Sequence, residues 1–397
     1  MAMINRILKA KLQQASRFYP VVSIMGPRQS GKTTLVRDAF RDKDYVSLED
    51  LDVREFALRD PRGFLGNYPK GVILDEVQRA PELFSYIQTI VDEENKPGKF
   101  ILTGSLHFLL QENITQTLAG RAAIYELLPF SVEELESKDK FRQGGCEEYL
   151  FKGFYPRIYD KNAPPAEWYR NYIKTYIERD VKLMKNISDL SVFRTFLKMC
   201  ASRTGQMLNL SSLANDCGIT HNTAKSWISV LENSFIIFLL RPHHKNFNKR
   251  LVKMPKLYFY DTGLLCSLLG IGSVGQLETH YLKGGIFETF VLAEMRKFFL
   301  NRALDAPLYF WRDKTGHEID CIAEGNNKII PIEIKSGKTV SADYFKNINY
   351  WLKISGKSIN DAYVIYGGEI SQKRTAGNLF SWRAICGLLK KMLRVQL

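Results

Sequence analysis

The chain has 397 residues, enough for roughly two or three domains. Its 56 Lys and Arg against 42 Asp and Glu give a net charge of +14, which argues against an ordinary metabolic enzyme and for a polyanionic partner. Hydrophobic content of 45% and charged content of 25% are ordinary globular values and exclude wholesale disorder, collagen and coiled coil.

The longest apolar run, Phe235 to Leu240, is far short of the ~20 residues that span a bilayer. Arg6, Lys9 and Lys11 interrupt any signal-peptide core, so the expected location is the cytoplasm, with no membrane partner. The six cysteines form no CxxC pair, and neither a zinc site nor a disulfide framework is expected.

From the N-terminus, short apolar runs at 21–25, 45–48, 72–74, 100–103 and 123–127 alternate with helical patterns. Such alternation predicts an α/β fold with a parallel sheet covered by helices over residues 1–130. Between the first run and the helix opened by Thr34 lies Gly26-Pro27-Arg28-Gln29-Ser30-Gly31-Lys32-Thr33, a GxxxxGK[ST] loop. Its glycines let backbone N–H groups curl around a polyphosphate. Lys32 supplies a charge for the outer phosphates, and Thr33 offers a hydroxyl to Mg²⁺. ATP and Mg²⁺ are the cofactors this predicts.

The run 72–74 ends in Asp75-Glu76, placing Asp75 near the metal and Glu76 where it can activate a water. Taken alone, two acids at a strand end read first as a solvated cap; beside the glycine loop they read as a hydrolytic site. The run 100–103 continues into Thr103-Gly104-Ser105. Set between the other two strands, it presents Thr103 or Ser105 to the γ-phosphate or the attacking water; a plain Gly-Ser turn is the alternative.

Residues 131–189 read as a helical lid or connector, rich in aromatics. Residues 190–260 read as a winged helix. Ser211 caps a first helix, Gly218 makes the turn and Thr220 caps a second, whose start exposes His221, Asn222 and Lys225 to bases or phosphates. The wing, 241–256, carries Arg241, Lys245, Lys249, Arg250, Lys253 and Lys256 with no acid. Phosphate contact with DNA is the first reading of it, protein docking the second. Gly270 to Gly275 reads as a linker.

Residues 276–397 read as helix, strand, strand, helix, strand, helix. Asp320 lies on one predicted strand, with Glu333 and Lys335 on the next, joined by a Gly-Asn-Asn turn. Period-two geometry sends Glu333 and Lys335 to one face. There Asp320 and Glu333, helped by Glu288 on the preceding helix, can hold Mg²⁺ while Lys335 steadies charge on a phosphorane.

Several of these segments carry a family resemblance. GPRQSGKTTL, VILDEVQ, ILTGS, LAGR, FKGFYPRIYD and GGIFETFVLAEM…PIEIKSG resemble the AAA-family ATPases with a C-terminal domain of unknown function found in bacteria and archaea (AAA_14 plus DUF4143 type). The resemblance implies a AAA-type core with Lys32 and Thr33 in the nucleotide loop, Asp75 and Glu76 as the second motif, and Thr103 or Ser105 at the sensor position. It places Arg121 where this class carries an arginine finger, which requires a homo-oligomer, a dimer or a hexameric ring. Arg179 is the guess for a lid sensor. The C-terminal pattern resembles the PD-(D/E)xK restriction-endonuclease-like arrangement, with Ile319 in place of the leading Pro. The expected activity is Mg²⁺-dependent ATP hydrolysis acting on DNA. The rival is a nucleotide-switched interaction protein with an inert nuclease-like fold.

Overall fold

Five parallel strands form the N-terminal sheet: β1 (Val21–Met25), β2 (Asp44–Ser47), β3 (Val72–Asp75), β4 (Phe100–Gly104) and β5 (Ala122–Glu126). Their order is β2-β3-β4-β1-β5, so the Thr103 strand does lie between the strand feeding the glycine loop and the strand ending in Asp75. Parallel neighbours need crossovers, and helices supply them: α2 (Lys32–Ala39), α3 (Leu51–Arg59), α4 (Pro61–Gly66) and α5 (Leu83–Glu94), preceded by α1 (Lys9–Ala15). Val22, Ile24, Ile73 and Ile101 pack against Leu8, Leu12, Leu35 and Val36 on one face. Val21, Leu74 and Leu102 share a core with Leu83, Phe84 and Ile87 on the other. Asp50 caps α3 through the Asp52 and Val53 N–H groups, and Asp60 caps α4 ahead of Pro61. The computed structural model describes residues 4–105, 114, 116–177, 189–243, 252–325 and 328–393.

A connector follows: α6 (Val132–Glu136), α7 (Cys146–Lys152), α8 (Pro156–Asp160) and α9 (Pro165–Tyr172). Next come α10 (Leu190–Ser202), α11 (Leu210–Cys217) and α12 (His221–Asn233), then the antiparallel pair β6 (Ile237–Leu240) and β7 (Lys256–Phe259). Leu213, Ala214, Ala224, Trp227, Ile228 and Leu231 are buried as their spacing predicts. Thr220 caps α12 through the Thr223 N–H. The cap of α11 is Asn209 rather than Ser211: its side chain accepts the Ser212 N–H, and the helix begins one residue later.

The proposed linker is a packed turn between α13 (Thr262–Leu268) and α14 (Val274–Thr279). Ile271 is buried, and the Gly272 N–H is held by Gln276 at 2.7 Å. One apolar core runs from Ile4 to Leu389.

Beyond it, α15 (Lys283–Leu300) precedes a six-stranded sheet ordered β12-β13-β11-β10-β9-β8. Its strands are β8 (Leu308–Arg312), β9 (Glu318–Gly325), β10 (Lys328–Lys335), β11 (Tyr363–Tyr366), β12 (Gln372–Arg374) and β13 (Gly377–Ser381). α16 (Lys346–Ser355) covers one face through Ile348, Trp351 and Leu352, and α17 (Ile385–Leu393) closes the chain. The sequence pattern missed β8, β12 and β13. Among the described residues, no helix is long and apolar enough to cross a membrane.

Candidate nucleotide site and a second acidic centre

The glycine loop leaves the C-terminal end of β1 and enters α2, where open α/β sheets bind ligands. Gly31 sits at φ +95°. Gly26 lies so close to the chain beyond β5 that a Cβ would come within 2.1 Å of the Leu127 carbonyl oxygen. Lys32 is buried, and its Nζ donates to the Gly26 and Pro27 carbonyls at 2.9 Å each. The loop thus stores the cation against itself. Ser30 is fully buried within the turn, Gln29 adopts φ +60°, and Arg28 faces Glu49 at 3.7 Å.

Asp75 is the hub of the site. It accepts from Thr33 Oγ1 at 2.8 Å, from the Tyr45 hydroxyl at 2.7 Å, and from Thr103 Oγ1. Burial, then the Asp75 carboxylate, drives the Tyr45 hydroxyl pKa upward, so it stays a donor. Glu76 holds a left-handed backbone, φ +56° and ψ +44°, a conformation that costs a non-glycine residue roughly 1–3 kcal/mol and concentrates at functional sites. Its carboxylate accepts from Ser105 Oγ at 2.9 Å and from Gln78. Thr103 and Ser105 therefore divide the work: one bonds to Asp75, the other to Glu76.

Of these groups, Arg28, Gln29, Gly31, Lys32, Thr33, Glu49, Asp75 and Glu76 line an open pocket of about 480 Å³ together with Thr34, Pro156, Arg157, Asp160 and Lys161. Arg157 and Lys161, on and just after α8, are cations at this pocket that sequence reading did not single out; Arg179 lies outside the described residues. Also missed was Arg6. Its guanidinium donates to the Ser30 carbonyl at 2.9 Å, to the Leu128 carbonyl at 2.7 Å and to Glu134 at 3.0 Å. It ties the back of the loop to α6. The Tyr172 hydroxyl reaches the Arg28 carbonyl at 3.3 Å from α9.

The loop amides, Lys32 and the hard oxygens of Thr33 and Asp75 suit a nucleotide polyphosphate with Mg²⁺. Arg121 lies elsewhere. Its backbone pairs with the start of β1, about 16 Å, one strand length, from the loop. Its side chain is clasped by Asp92, with Nη2 to Oδ2 at 3.0 Å.

A second set of charges converges in the C-terminal sheet. Between Tyr309 and Trp311, β8 and β9 shift register, and such an irregularity re-aims a side chain. Asp320 there turns its carboxylate to accept the Ile334 N–H at 2.8 Å. Lys335 Nζ lies 2.6 Å from Glu333 and 3.4 Å from Asp320. The other oxygen of Glu333, buried, has no hydrogen-bond partner. Burial first, then Asp320, pushes the Glu333 pKa well up.

Glu288 stands apart from this pair, held by Lys256 Nζ at 3.1 Å and by the Tyr258 hydroxyl. Burial is the main force that pushes its carboxyl up to about 7. Among the described residues, no three Asp, Glu, His or Cys side chains converge as metal ligands. The predicted set Glu288, Asp320 and Glu333 is therefore in one neighbourhood but not closed around an ion, because lysines stand between its members.

Of the predicted nucleic-acid contacts, His221, Asn222, Lys225 and Lys253 are exposed, while Lys245, Lys249 and Arg250 lie outside the described residues. Lys256 corrects the reading of the wing. It is 3% exposed and bound to Glu288 and Glu318, since a cation at the base of β7 faces the acidic centre instead of solvent.

Three family models match the chain: a AAA domain over residues 19–136, a domain of unknown function (DUF8612) over 144–274, and a domain of unknown function (DUF4143) over 283–385. The uncharacterized protein Rv2008c of Mycobacterium tuberculosis is 30% identical over 340 residues, 85% of this chain and 75% of its own. The uncharacterized protein MJ1544 of Methanocaldococcus jannaschii is 24% identical, over 82% of this chain and 76% of its own. The Walker-type ATPase PABY2304 of Pyrococcus abyssi aligns at 14% identity with a TM-score of 0.47, over 67% of this chain and 96% of its own. On its glycine loop, its domain matches and a relative 30% identical over most of both chains, the chain belongs to the AAA-type P-loop ATPase family that carries a C-terminal DUF4143 domain.

Proposed function

We propose that the chain hydrolyses ATP with Mg²⁺ and couples the cycle to DNA held by a winged helix, residues 190–260, beside a PD-(D/E)xK-like C-terminal domain. The observation that carries this reading is that Thr33, Asp75 and Glu76 meet at the pocket beside the glycine loop, with Thr103 and Ser105 bonded to the two carboxylates from β4. When bound, ATP and Mg²⁺ supply the phosphoanhydride and the charge that neutralises it. Lys32 leaves its carbonyl partners to meet the outer phosphates, while Thr33 and Asp75 hold the metal. Glu76, aimed by its left-handed backbone and Ser105, takes the proton of the attacking water. Arg121 serves the site of a neighbouring protomer, which makes the working species a homo-oligomer, a dimer or a hexameric ring. His221, Asn222, Lys225, Lys245, Lys249, Arg250 and Lys253 meet DNA, and Asp320, Glu333 and Lys335 form the cleavage centre.

ATP turnover measured alone, with duplex DNA and with branched DNA tests the coupling; stimulation by either DNA is the expected result. A Mg²⁺ cleavage assay on the same DNAs is expected to show activity that Asp320→Ala abolishes while its ATP turnover persists. Turnover indifferent to DNA, with no cleavage, would leave the second reading: a nucleotide-switched interaction ATPase with an inert nuclease-like fold. One observation favours that alternative, namely that Glu288 and Glu333 of the acidic centre are already paired with the protein's own lysines.

A further inference from the structure

The acidic centre contains a cation that belongs to a different part of the chain. On either side of the β6–β7 connection, described residues meet β8, the edge strand of the C-terminal sheet. The Phe310 N–H donates to the Arg241 carbonyl at 3.1 Å, the His243 N–H to the Phe310 carbonyl at 2.7 Å, and the Val252 N–H to the Arg312 carbonyl at 3.2 Å. Lys256, at the base of β7, is set among the carboxylates by β7 itself, which pairs with β6 and bonds through Leu257 to Gly205 and Gln206. Its Nζ lies 3.1 Å from Glu288 and in an ion pair with Glu318, with Asp320 among the charges that act on it. Glu318 is a fourth acid of the centre that the sequence pattern did not flag.

The formal charges make the consequence plain. Glu288, Glu318, Asp320 and Glu333 carry four negative charges, against which stand Lys256, Lys335 and Arg312, the last 2.9 Å from Glu318. Removing Lys256 alone leaves a deficit of two, the charge of one divalent cation. The buried oxygen of Glu333, unpartnered, is the acceptor such an ion would satisfy.

We propose that Lys256 is a built-in counter-ion that closes the acidic centre to divalent metal. The inference rests on reading Asp320 and Glu333 as metal ligands, and its failure can be told apart from the failure of that reading.

The experiment titrates Mn²⁺ into the nucleotide-free full chain, followed by electron paramagnetic resonance. Asp320-dependent binding is taken as the difference between each protein and its Asp320→Asn counterpart. Lys256→Gln is expected to gain one Asp320-dependent Mn²⁺, bound roughly tenfold or more tightly than in the wild type, whereas Lys256→Arg, which keeps the cation, gains none. Lys256→Met, which removes the charge and keeps a stem of similar length, should gain the ion as well, and it remains informative should Lys256→Gln not fold. Wild-type binding as tight as in the folded charge-removing variants would overturn the counter-ion role and leave the metal centre standing. No Asp320-dependent Mn²⁺ in any folded variant would overturn both.

Discussion

At the scale of single residues, the nucleotide site separates holding from chemistry. Lys32 donates to carbonyls of its own loop, partners it can exchange for phosphate. Lys32→Ala should abolish nucleotide binding, read by a fluorescent ATP analogue. Glu76→Gln keeps the shape and loses the base, so it should bind ATP normally and turn over about 10²- to 10⁴-fold more slowly, the range of a lost general base. Equal turnover by wild type and Glu76→Gln would remove Glu76 from that role. The residues of the loop and the strand ends were legible because each motif is contiguous and its chemistry demands those side chains. Arg6, Tyr45 and Arg157 were not. Each reaches the site from a distant segment, Arg6 across 24 positions to Ser30 and Tyr45 across 30 to Asp75. No local pattern distinguishes such a residue from a surface cation or a strand aromatic.

At the scale of elements, period and punctuation carried the reading far. All five strands of the N-terminal sheet were visible as apolar runs, most plainly β1, β3 and β4, which are buried along their whole length. In the C-terminal sheet, β12 escaped notice because it is three residues long and exposed throughout. It presents no alternation to read. Lys256 was misplaced for a related reason: a basic stretch reads as one surface, although among its described cations Arg241 and Lys253 are exposed while Lys256 enters β7 and is buried.

Reversing Lys249, Arg250 and Lys253 to Glu should weaken duplex binding for every sequence and flatten its dependence on salt, because fewer counterions are released. Fluorescence anisotropy across a salt series reads both effects. Unchanged affinity and slope would make the hairpin a protein-docking surface.

At the scale of the whole molecule, Arg121 and its own glycine loop stand at opposite ends of the sheet. Mixing Arg121→Ala with Glu76→Gln subunits should therefore restore part of the ATP turnover each lacks alone, since some junctions then combine an intact Arg121 with an intact Glu76. A monomer in analytical ultracentrifugation that hydrolyses ATP at full rate would end that assignment.

Helix α6 has another whole-molecule consequence. In little more than one turn, its Val132 N–H is held by Glu294, Glu133 by Arg302 and Lys390, Glu134 by Arg6, and Glu136 by Arg383. Three matched segments suggest three interchangeable modules, but these partners make them inseparable. Cutting the chain after residue 280 strips Glu133 and Glu136 of their cations. It also takes Lys297 from its seat 3.9 Å over the Phe154 ring and bares the apolar wall that Phe290 and Trp382 complete. The fragment 1–280 should emerge aggregated or with a loosened interior, seen as lost near-ultraviolet circular dichroism and dye-accessible apolar surface. A monodisperse fragment that binds nucleotide would instead make the ATPase portable, free to be joined to other partners without its present C-terminal third.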